Sequence, residues 1–321
     1  MRNYESVSCI VCDSTHLAKI TNKGQFGFET NVCVCKECGL SFLNPRWDKE
    51  TYLNFYKDEY DSYYRPIKSK VPPKQNPSSY YPILKRLENS GINKDSIKTI
   101  LDIGSGDGSQ MSAFIDEGIG IEYHAIEPSE QYRNEIMKRG INFISNDIDK
   151  DWDSDFLAHF DFVIMRHVLE HFSRPDEVLQ KICRVLKPDG VLYLAVPDSL
   201  NPRPALTKSF FRVVHTYYFN KFSLSNIFYK SGLEIISMSE GDEFHDELFS
   251  FAKRSNKQRD IVVSKENFKV QYEVFFQGVQ KEHKVIFKFR QFLLQGFRSI
   301  VKLKKYFFPN PVKKRRDIYS L

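Results

Sequence analysis

Two pairs of cysteines near the N-terminus have the spacing of a metal site. Cys9 and Cys12 form one C-x₂-C pair, and Cys35 and Cys38 form a second pair after 22 intervening residues. Each pair supplies two thiolates from one tight turn, and four thiolates complete the tetrahedral shell of a structural Zn²⁺. Residues 1–46 are too few to build a stable core, so we predict that zinc organises them as a ribbon.

Three nearby residues bear on this cysteine site, and the one remaining cysteine does not. Gly39 follows the second pair directly, where the turn requires a left-handed backbone that glycine adopts without strain. His16 and Cys33 are alternative ligands for the metal. Cys183 lies on an apolar helical face and is expected to be an ordinary core residue.

A glycine-rich turn follows the apolar segment Ile97–Ile103. Asp102 precedes the run Gly104-Ser105-Gly106, and glycines at these positions allow the backbone to approach a ligand closely. The carboxylate of Asp102 can accept hydrogen bonds from an amino or cationic group. The turn has neither the third glycine of a phosphate loop nor a Walker lysine, so a ligand without phosphates fits better than NAD or ATP.

Two further acidic residues end the next two predicted strands. Glu127 lies 25 residues after Asp102, where a carboxylate can bind both hydroxyls of a ribose. Asp147 precedes Ile148 at the end of the third strand, where an adenine amino group would meet an acidic side chain beside an apolar contact. The three carboxylates therefore favour a ligand that contains a nucleoside.

The elements that position these residues alternate between strands and helices. Short apolar segments are separated by amphipathic segments of helical length, which is typical of a parallel sheet covered by helices on both faces. We expect this α/β domain to close near Phe251. The predicted strands are Ile97–Ile103, Ile121–Glu127, Ile141–Ile144, Asp161–Met165 and Val191–Val196.

This combination of residues resembles the class I S-adenosylmethionine-dependent methyltransferases. The resemblance covers roughly residues 82–251 and includes the later landmarks Phe160–Ile164, Leu186–Gly190 and Leu192–Pro197. It implies a Rossmann-like sheet with helices on both faces and S-adenosylmethionine as the cofactor. It also implies the cofactor-binding residues, which are Asp102, Gly104, Ser105, Gly106, Glu127, Asp147, Ile148, Met165 and Arg166.

The N-terminal segment carries a second resemblance. The run from Cys35 to Arg46, followed by Phe55, Tyr56 and Tyr60, resembles the zinc-binding head of bacterial methyltransferases that act in sugar and surface-polysaccharide pathways. Sugar C-methyltransferases belong to that group. The resemblance implies a role in polysaccharide biosynthesis.

A histidine-rich run follows the predicted fourth strand. The residues from His167 to His171 fit the H-x-x-E-H pattern of certain zinc peptidases. A leucine-Glu-His turn is common at this place in class I methyltransferases, which argues against peptidase chemistry. We expect Glu170 and His171 to form a structural pair that ties the turn to the following helix, and His167 to point toward the acceptor.

A second histidine is the candidate general base. The segment around His215 resembles the part of sugar methyltransferases that reaches over the acceptor, but Val214 stands where the C-methyltransferases have glutamate. This difference disfavours methylation at carbon. A hydroxyl acceptor needs only one base near the attacking oxygen, and histidine titrates in the right range. We predict His215 as that base, with a structural or substrate-binding role for it, or His167 as the base, as alternatives.

Charge is concentrated at the C-terminal end. The chain has a net charge of +6, but residues 251–321 carry 18 Lys and Arg against 5 Asp and Glu, so the rest is net acidic. Between Lys284 and Lys305 apolar residues recur every three or four positions, which predicts an imperfectly amphipathic basic helix. This helix packs on the domain or on a second subunit, lies on an anionic membrane, or binds nucleic acid.

The predicted domain organisation has four parts. They are a zinc-ribbon module (1–46), a helical connector and linker (47–95, with the linker at 66–79), a methyltransferase domain (96–254) and a basic helical extension (255–321). No apolar run is long enough to cross a membrane and no secretory signal is recognisable, so we expect a cytoplasmic protein, with peripheral contact at the inner membrane face through the basic helix.

These features predict O-methylation of a sugar or a sugar-containing surface-glycan intermediate. The acceptor would be a sugar nucleotide, a glycan or a glycolipid, and the enzyme could form a homo-oligomer. The first alternative is an RNA methyltransferase that uses the ribbon and the basic tail, which the acidic body of the chain disfavours. The second is a non-catalytic module that binds S-adenosylmethionine and recruits partners.

Overall fold

A computed structural model describes residues 2–64, 81–242, 247–255, 257 and 259–285. The predicted linker at 66–79 lies outside the described residues. So does the predicted basic helix, apart from residues 284 and 285. None of the helices among the described residues is long and apolar enough to cross a membrane.

The N-terminal module is a small antiparallel β-structure followed by two helices. Its elements are β1 (Tyr4–Glu5), β2 (Leu17–Lys23), β3 (Glu29–Cys35), β4 (Ser41–Leu43), β5 (Arg46–Trp47), α1 (Lys49–Asp58) and α2 (Tyr60–Tyr64). Helix α1 begins where the side chain of Asp48 accepts a hydrogen bond of 2.8 Å from the backbone N–H of Thr51, which is a typical N-cap.

The following segment alternates between helices and strands as the sequence predicts. Its elements are α3 (Tyr81–Asn89), β6 (Thr99–Ile103), α4 (Ser109–Asp116), β7 (Glu122–Ile126), α5 (Glu130–Lys138), β8 (Asn142–Ser145), β9 (Phe160–Arg166), α6 (Pro175–Val185) and β10 (Leu186–Pro197). All five predicted strands are present. Strand β10 begins earlier than predicted because the turn before Val191 is taken into the strand as an irregularity in its register.

The rest of the described chain adds elements that the sequence analysis did not predict. They are β11 (Tyr217–Tyr218), α7 (Lys221–Lys230), β12 (Leu233–Glu240) and β13 (Glu247–Arg254). A helix over 265–285, labelled α8, lies within the predicted helical extension. Strand β13 runs antiparallel to β10, and β12 runs antiparallel to β13.

The central sheet has seven strands in the order β12-β13-β10-β9-β6-β7-β8. Helices α3, α4 and α5 cover one face through residues such as Leu87, Phe114 and Ile136, and α6 and α7 cover the other. The fold is therefore a Rossmann-like α/β fold, as predicted. Strand β6 lies between β7 and β9, so the strand order reverses there and a cleft opens at the carboxyl ends of the strands, where ligands bind.

A strand that follows the α/β domain's β10 belongs to the sheet of the N-terminal module. Strand β11 pairs with β4, with Tyr217 opposite Phe42, and completes a four-stranded sheet in the order β11-β4-β3-β2. The buried guanidinium of Arg46 donates hydrogen bonds to the carbonyl of Ser173 (3.1 Å) and the hydroxyl of Tyr217 (3.2 Å). These contacts fix the position of the module beside the segment that follows β9.

Candidate functional site

The glycine-rich turn between β6 and α4 leaves space for a ligand. Gly104 and Gly106 have φ angles of +75° and +57°, which residues with a side chain rarely adopt. A Cβ atom on Gly104 would lie 2.4 Å from a methyl carbon of Val168, whereas a Cβ on Gly106 would meet no atom within 4 Å. Gly104 therefore allows close packing inside the protein, and Gly106 faces open space over the turn.

Asp102 occupies the end of β6 below this turn. Its side chain is 1% exposed and accepts hydrogen bonds from Nε2 of Gln110 at 3.3 and 3.2 Å. Burial is the main cause that raises the pKa of Asp102 to about 7, against the opposing effect of the Gln110 hydrogen bond. A cationic or amino group of a bound ligand would favour the ionised carboxylate.

Glu127 links the glycine-rich turn to the end of β7. Its Oε2 accepts a hydrogen bond of 2.8 Å from the N–H of Gly106, and its Oε1 accepts one of 3.0 Å from the N–H of Ser129. Each carboxylate oxygen has two acceptor sites, so a carboxylate can accept hydrogen bonds from ribose hydroxyls as well as from backbone N–H groups. The buried Oγ of Ser105, in the same turn, has no hydrogen-bond partner among the described residues.

The third acidic residue lies in the loop after β8. Asp147 is partly exposed and accepts a hydrogen bond of 2.9 Å from the N–H of Asp149. Ile148 is buried, and its carbonyl accepts a hydrogen bond of 3.1 Å from the indole of Trp152. The structure thus places Asp102, Glu127 and Asp147 at the carboxyl ends of three adjacent strands, in an arrangement that fits S-adenosylmethionine.

The two predicted cleft residues at the end of β9 have different surroundings. Met165 is fully buried within the hydrophobic core. Arg166 is 17% exposed, pairs with Glu247 at 3.3 Å, and lowers the pKa of Asp102 through its charge. Arg166 is thus the more exposed of the two residues, and the contact of either with the cofactor stays a prediction.

His167 follows β9 directly and is held in an unusual conformation. Its φ is +56°, and its N–H donates a hydrogen bond of 2.8 Å to the carbonyl of Ala195 on β10. Its side chain is 40% exposed. Nε2 lies 2.6 Å from Oε2 of Glu247, and Nδ1 lies 3.8 Å from Oε1 of Glu170.

Glu247 is the residue that the sequence analysis missed. It is the first residue of β13, is 1% exposed, and pairs with Arg86, Arg166 and His167. These partners outweigh the effect of burial and hold the pKa of Glu247 well below its usual range. Burial lowers the pKa of His167, but the nearby carboxylates of Glu170 and Glu247 outweigh it and raise this pKa to about 9.

Glu170 and two more histidines complete a cluster with His167. Glu170, His171 and His215 each present a ligand atom, and these atoms lie within 4.8 Å of one another. The rings of His171 and His215 meet edge to face with their centroids 4.8 Å apart. We call His167, Glu170, His171 and His215 the histidine cluster.

The residues of the histidine cluster differ in exposure and bonding. His215 is 5% exposed, and burial, with the charges of His171, Arg212 and His167, holds its pKa well below the usual range. A hydrogen bond of 3.0 Å joins Nδ1 of His171 to the hydroxyl of Tyr56. Neither carboxylate oxygen of Glu170 has a hydrogen-bond partner within the described part of the chain. Glu170 thus faces the histidines and does not make the predicted link to the following helix.

The four cysteines of the two C-x₂-C pairs come together at one point. The Sγ atoms of Cys9 and Cys38 are 3.4 Å apart, those of Cys12 and Cys35 are 3.5 Å apart, and all four lie within 4.8 Å of one another. Zn–S bonds of about 2.3 Å in a tetrahedron place sulfur atoms about 3.8 Å apart. The group is compatible with a zinc ribbon.

The structure shows the surroundings of Gly39, of the two alternative ligands and of Cys183. Gly39 has the expected positive φ, +79°. The Sγ of Cys33 donates to the carbonyl of Asn44 at 3.3 Å, and His16 pairs with Glu37 at 3.4 Å, so both alternative ligands lie outside the group. Cys183 donates to the carbonyl of Gly232 at 3.2 Å, which agrees with a packing role.

Comparison with known proteins identifies the family. A sequence model of the methyltransferase domain matches residues 69–238, which is more than half of the chain. The chain belongs to this methyltransferase family. It is accordingly an S-adenosylmethionine-dependent methyltransferase, which agrees with the sheet order, the glycine-rich turn and the three acidic strand ends. No curated protein matches the methyltransferase.

Solved structures resemble the methyltransferase only at low sequence identity. Mitomycin 7-O-methyltransferase MmcR is 20% identical, with a TM-score of 0.43, over 53% of this chain and 54% of that one. The 1,6-didemethyltoxoflavin-N1-methyltransferase of Burkholderia thailandensis, solved with S-adenosylhomocysteine, is 15% identical, with a TM-score of 0.48, over 68% of this chain and 96% of that one. The methyltransferase therefore spans about half of the length of MmcR.

In this methyltransferase the glycine-rich turn adjoins the histidine cluster. Val168, which lies between His167 and Glu170 in the sequence, is the residue that a Cβ on Gly104 would strike. The turn expected to hold the methyl donor and the segment that carries the histidines are therefore in direct contact. An acceptor bound beside the histidines would lie next to the cofactor.

Proposed function

We propose that the methyltransferase transfers a methyl group from S-adenosylmethionine to a hydroxyl of a sugar or a sugar-containing surface-glycan intermediate. The observation that carries this proposal is the pair of His167 and Glu247, next to the glycine-rich turn. A hydroxyl acceptor must lose one proton during the transfer, and a single base within hydrogen-bond reach can take it. His167 is open to solvent at the place where the acceptor would bind.

The protonation of His167 follows from its partner. Glu247 accepts the Nε2–H of the ring, and this pairing helps to raise the pKa of His167 to about 9. Nδ1 can therefore receive the proton of the acceptor hydroxyl only in the molecules whose ring is neutral, a fraction that grows as pH rises toward about 9. S-adenosylmethionine, held by the glycine-rich turn, Asp102 and Glu127, would supply the methyl group, with its carbon–sulfur bond exchanged for a carbon–oxygen bond to the acceptor. The products would be a methyl ether and S-adenosylhomocysteine, and Nδ1 of neutral His167 would take the proton of the hydroxyl. Because the displacement is in line, the positioning of donor and acceptor contributes more than acid–base help.

His215 remains the alternative base. It is 5% exposed, so an acceptor would reach it only through the histidine cluster. Its position against the ring of His171 suits a role in holding that ring and the segment after β9. The variants His167→Ala and His215→Ala distinguish a catalytic from a structural role for His215.

Two features support a sugar acceptor. The first is the resemblance of the N-terminal module to the heads of methyltransferases from sugar pathways. The second is a row of tyrosines along α1 and α2, where the rings of Tyr56 and Tyr60 are 4.9 Å apart and those of Tyr60 and Tyr64 are 5.1 Å apart. Tyrosines offer an apolar face and a hydroxyl together, which suits the faces of a sugar ring. Tyr56, at one end of this row, is hydrogen-bonded to His171 of the histidine cluster.

The zinc ion belongs to the proposal as a structural group. Four thiolates of Cys9, Cys12, Cys35 and Cys38 would hold it, and its binding free energy would contribute to the folding of the module. The second cysteine pair is contacted by α8, because Nδ2 of Asn267 donates to the carbonyl of Cys38 at 2.5 Å. Zinc would thereby stabilise the position of α8 as well as the ribbon.

Labelled S-adenosylmethionine tests the proposal. We would incubate the enzyme with a sugar-nucleotide fraction, a glycolipid fraction and total RNA from bacteria, and follow the label. We expect label in a sugar-containing fraction, and its loss in Asp102→Asn and His167→Gln but not in His159→Gln, which changes a partly exposed histidine at the other end of the sheet.

The other outcomes identify the alternatives. Label in RNA alone would replace the sugar with nucleic acid. Cofactor binding without transfer to any fraction would favour the non-catalytic module. The basic segment 286–321 lies outside the described residues, and its contacts with a second copy, an anionic membrane or nucleic acid stay predictions.

A further inference from the structure

Glu170, His171 and His215 combine the side chains of a metal site from two separate segments. Their ligand atoms lie within 4.8 Å of one another. The segments are tied together by Thr216, whose Oγ1 donates to the carbonyl of Glu170 at 3.1 Å and to the carbonyl of Phe172 at 2.6 Å. The convergence is therefore fixed by the fold and does not depend on long, mobile side chains.

The carboxylate of Glu170 makes no hydrogen bond within the described part of the chain, and its ion pair with His167 is long. Glu170 is 2% exposed, and neither of its oxygens has a hydrogen-bond partner among the residues that the structure describes. A buried carboxylate without hydrogen bonds destabilises a protein, because burial removes the water that would otherwise solvate its charge. The nearest cationic group, Nδ1 of His167, is 3.8 Å away, beyond hydrogen-bond distance. A cation between Glu170 and the two histidines would supply the missing partner.

We propose that Glu170, His171 and His215 bind one divalent transition-metal ion. One carboxylate oxygen and two imidazole nitrogens suit Zn²⁺, Mn²⁺ or Fe²⁺, and three protein ligands leave coordination positions open. The hydrogen bond between His171 and Tyr56 fixes one nitrogen of that ring, as second-shell partners of metal-bound histidines do.

A similar group elsewhere in the protein shows what distinguishes this one. Glu122, His124 and His159 also gather three ligand atoms. There, however, Oε1 of Glu122 already engages Nε2 of His124 at 2.7 Å and Nε2 of His159 at 3.2 Å, so the carboxylate has partners without a metal. Glu170 has none of these bonds, and the two groups provide a matched comparison.

The ion would have a direct use beside the acceptor. An acceptor hydroxyl that completes its coordination would be fixed in place, and its pKa would be lowered by the charge of the metal. This use rests on the proposed function, whereas metal binding at the histidine cluster does not. The ligands are oxygen and nitrogen and not thiolates, so the site is chemically distinct from the cysteine group.

Cobalt binding to the zinc-loaded enzyme tests the proposal. Co²⁺ is added to full-length protein that already holds one zinc equivalent at its cysteines, and binding is followed by calorimetry and visible absorption. We expect a second equivalent with the d–d bands of a nitrogen and oxygen site and without a thiolate charge-transfer band. Glu170→Gln and His215→Asn should each weaken this binding by about tenfold or more, and Glu122→Gln should leave it unchanged.

Three results would overturn the inference. They are the absence of a second equivalent, a second equivalent that survives both cluster variants, and a second equivalent lost only in Glu122→Gln. Thermal unfolding of each variant shows whether it is folded. If either Glu170→Gln or His215→Asn does not fold, the cobalt affinity of the other still tests the site. If no sugar fraction accepts methyl groups but cobalt binds as expected, the proposed function fails and the metal site stands.

Discussion

Nε2 of His167 lies 2.6 Å from Oε2 of Glu247, although their strands are separated by β10 in the central sheet. Glu247 is 1% exposed and His167 is 40% exposed, so a buried carboxylate holds a ring that is open to the cleft. The carboxylate also pairs with Arg86 and Arg166. The orientation of His167 therefore depends on a charge network that links α3, β9 and β13.

Replacement of Glu247 by glutamine should misplace His167 without removing it. We expect kcat to fall on the order of 10²-fold, the scale on which acid–base assistance contributes, while the affinity for S-adenosylmethionine stays near that of the wild type. Single-turnover kinetics with the sugar acceptor and calorimetry with the cofactor measure the two quantities. Glu234→Gln, which changes a partly exposed glutamate paired with Lys253 on the same sheet edge, is the matched control. Equal kcat in Glu247→Gln and the control would contradict the role of Glu247.

His167→Ala and His215→Ala decide which histidine takes the proton. If His167 is the base, His167→Ala should lose about 10² to 10⁴ in kcat and keep its cofactor affinity. His215→Ala should have the smaller effect on kcat and, because it opens a cavity beside His171, the larger effect on the temperature of unfolding. A greater loss of kcat in His215→Ala than in His167→Ala would identify His215 as the base, as the sequence analysis predicts.

The sequence predicts the parallel part of the sheet because each of those strands is a short, almost continuous apolar run. Strand β6, with five buried residues in succession, is the clearest example. Strand β12 has only one fully buried residue and no clear alternation of apolar and polar residues, so it gives little signal. Glu247 begins the strand paired with it, and no motif surrounds it.

The sequence predicts that three acidic residues lie at one edge of the sheet, but it does not predict that Glu170, His171 and His215 come together. Asp102, Glu127 and Asp147 each end a strand of one parallel sheet, and the topology alone brings strand ends to one edge. The approach of His215 to Glu170 depends on the packing of the segment before β11 against the turn after β9. Such a contact has no periodic pattern in the sequence.

Glu127→Gln should weaken cofactor binding in two ways. It removes a charge expected to bind the ribose, and it weakens the bond from the N–H of Gly106 that holds the glycine-rich turn. A hydrogen bond to a charged group contributes about 1.5–3 kcal/mol, so the affinity should fall roughly ten- to hundredfold. Calorimetric titration measures this, with the exposed Glu130 on the next helix changed to glutamine as the control. Unchanged affinity in folded Glu127→Gln would remove Glu127 from the cofactor site.

The cysteine group should contain one equivalent of zinc per chain. Cys38→Ser should lose the metal and lower the temperature of unfolding, because zinc binding contributes directly to folding free energy. Cys33→Ser should keep the full equivalent, since the sulfur of Cys33 bonds to the carbonyl of Asn44 and lies outside the group. Elemental analysis of untagged protein purified without chelators makes the measurement. Less than about a tenth of an equivalent in the wild type would exclude a structural zinc site.

Asp102→Asn should stabilise the protein without cofactor while weakening the binding of S-adenosylmethionine. Burial raises the pKa of Asp102 to about 7 in the folded state, whereas it is about 3.9 in an unfolded chain. Between these values the unfolded chain has released the proton that the folded protein retains. The contribution of Asp102 to stability therefore falls as pH rises from about 4 to about 7 and is constant above that range.

Asp102→Asn lacks this titration, so its free energy of unfolding should increase relative to that of the wild type over the same pH range. Its advantage in the free energy of unfolding should be near zero at about pH 4 and grow to a few kcal/mol, about 4 at most, at about pH 7.

Cofactor binding should behave differently, because a positive group of S-adenosylmethionine near Asp102 favours the ionised carboxylate. The wild type should then bind more tightly as pH rises toward about 7 and release a proton on binding below that pH, whereas Asp102→Asn should bind at least about tenfold more weakly and without this pH dependence. Denaturant unfolding and calorimetry in buffers of different ionisation enthalpy measure both effects. A variant that is less stable than the wild type at neutral pH would show that Asp102 is ionised and well satisfied in the folded protein, and a variant with unchanged cofactor affinity would show that the ligand does not reach it.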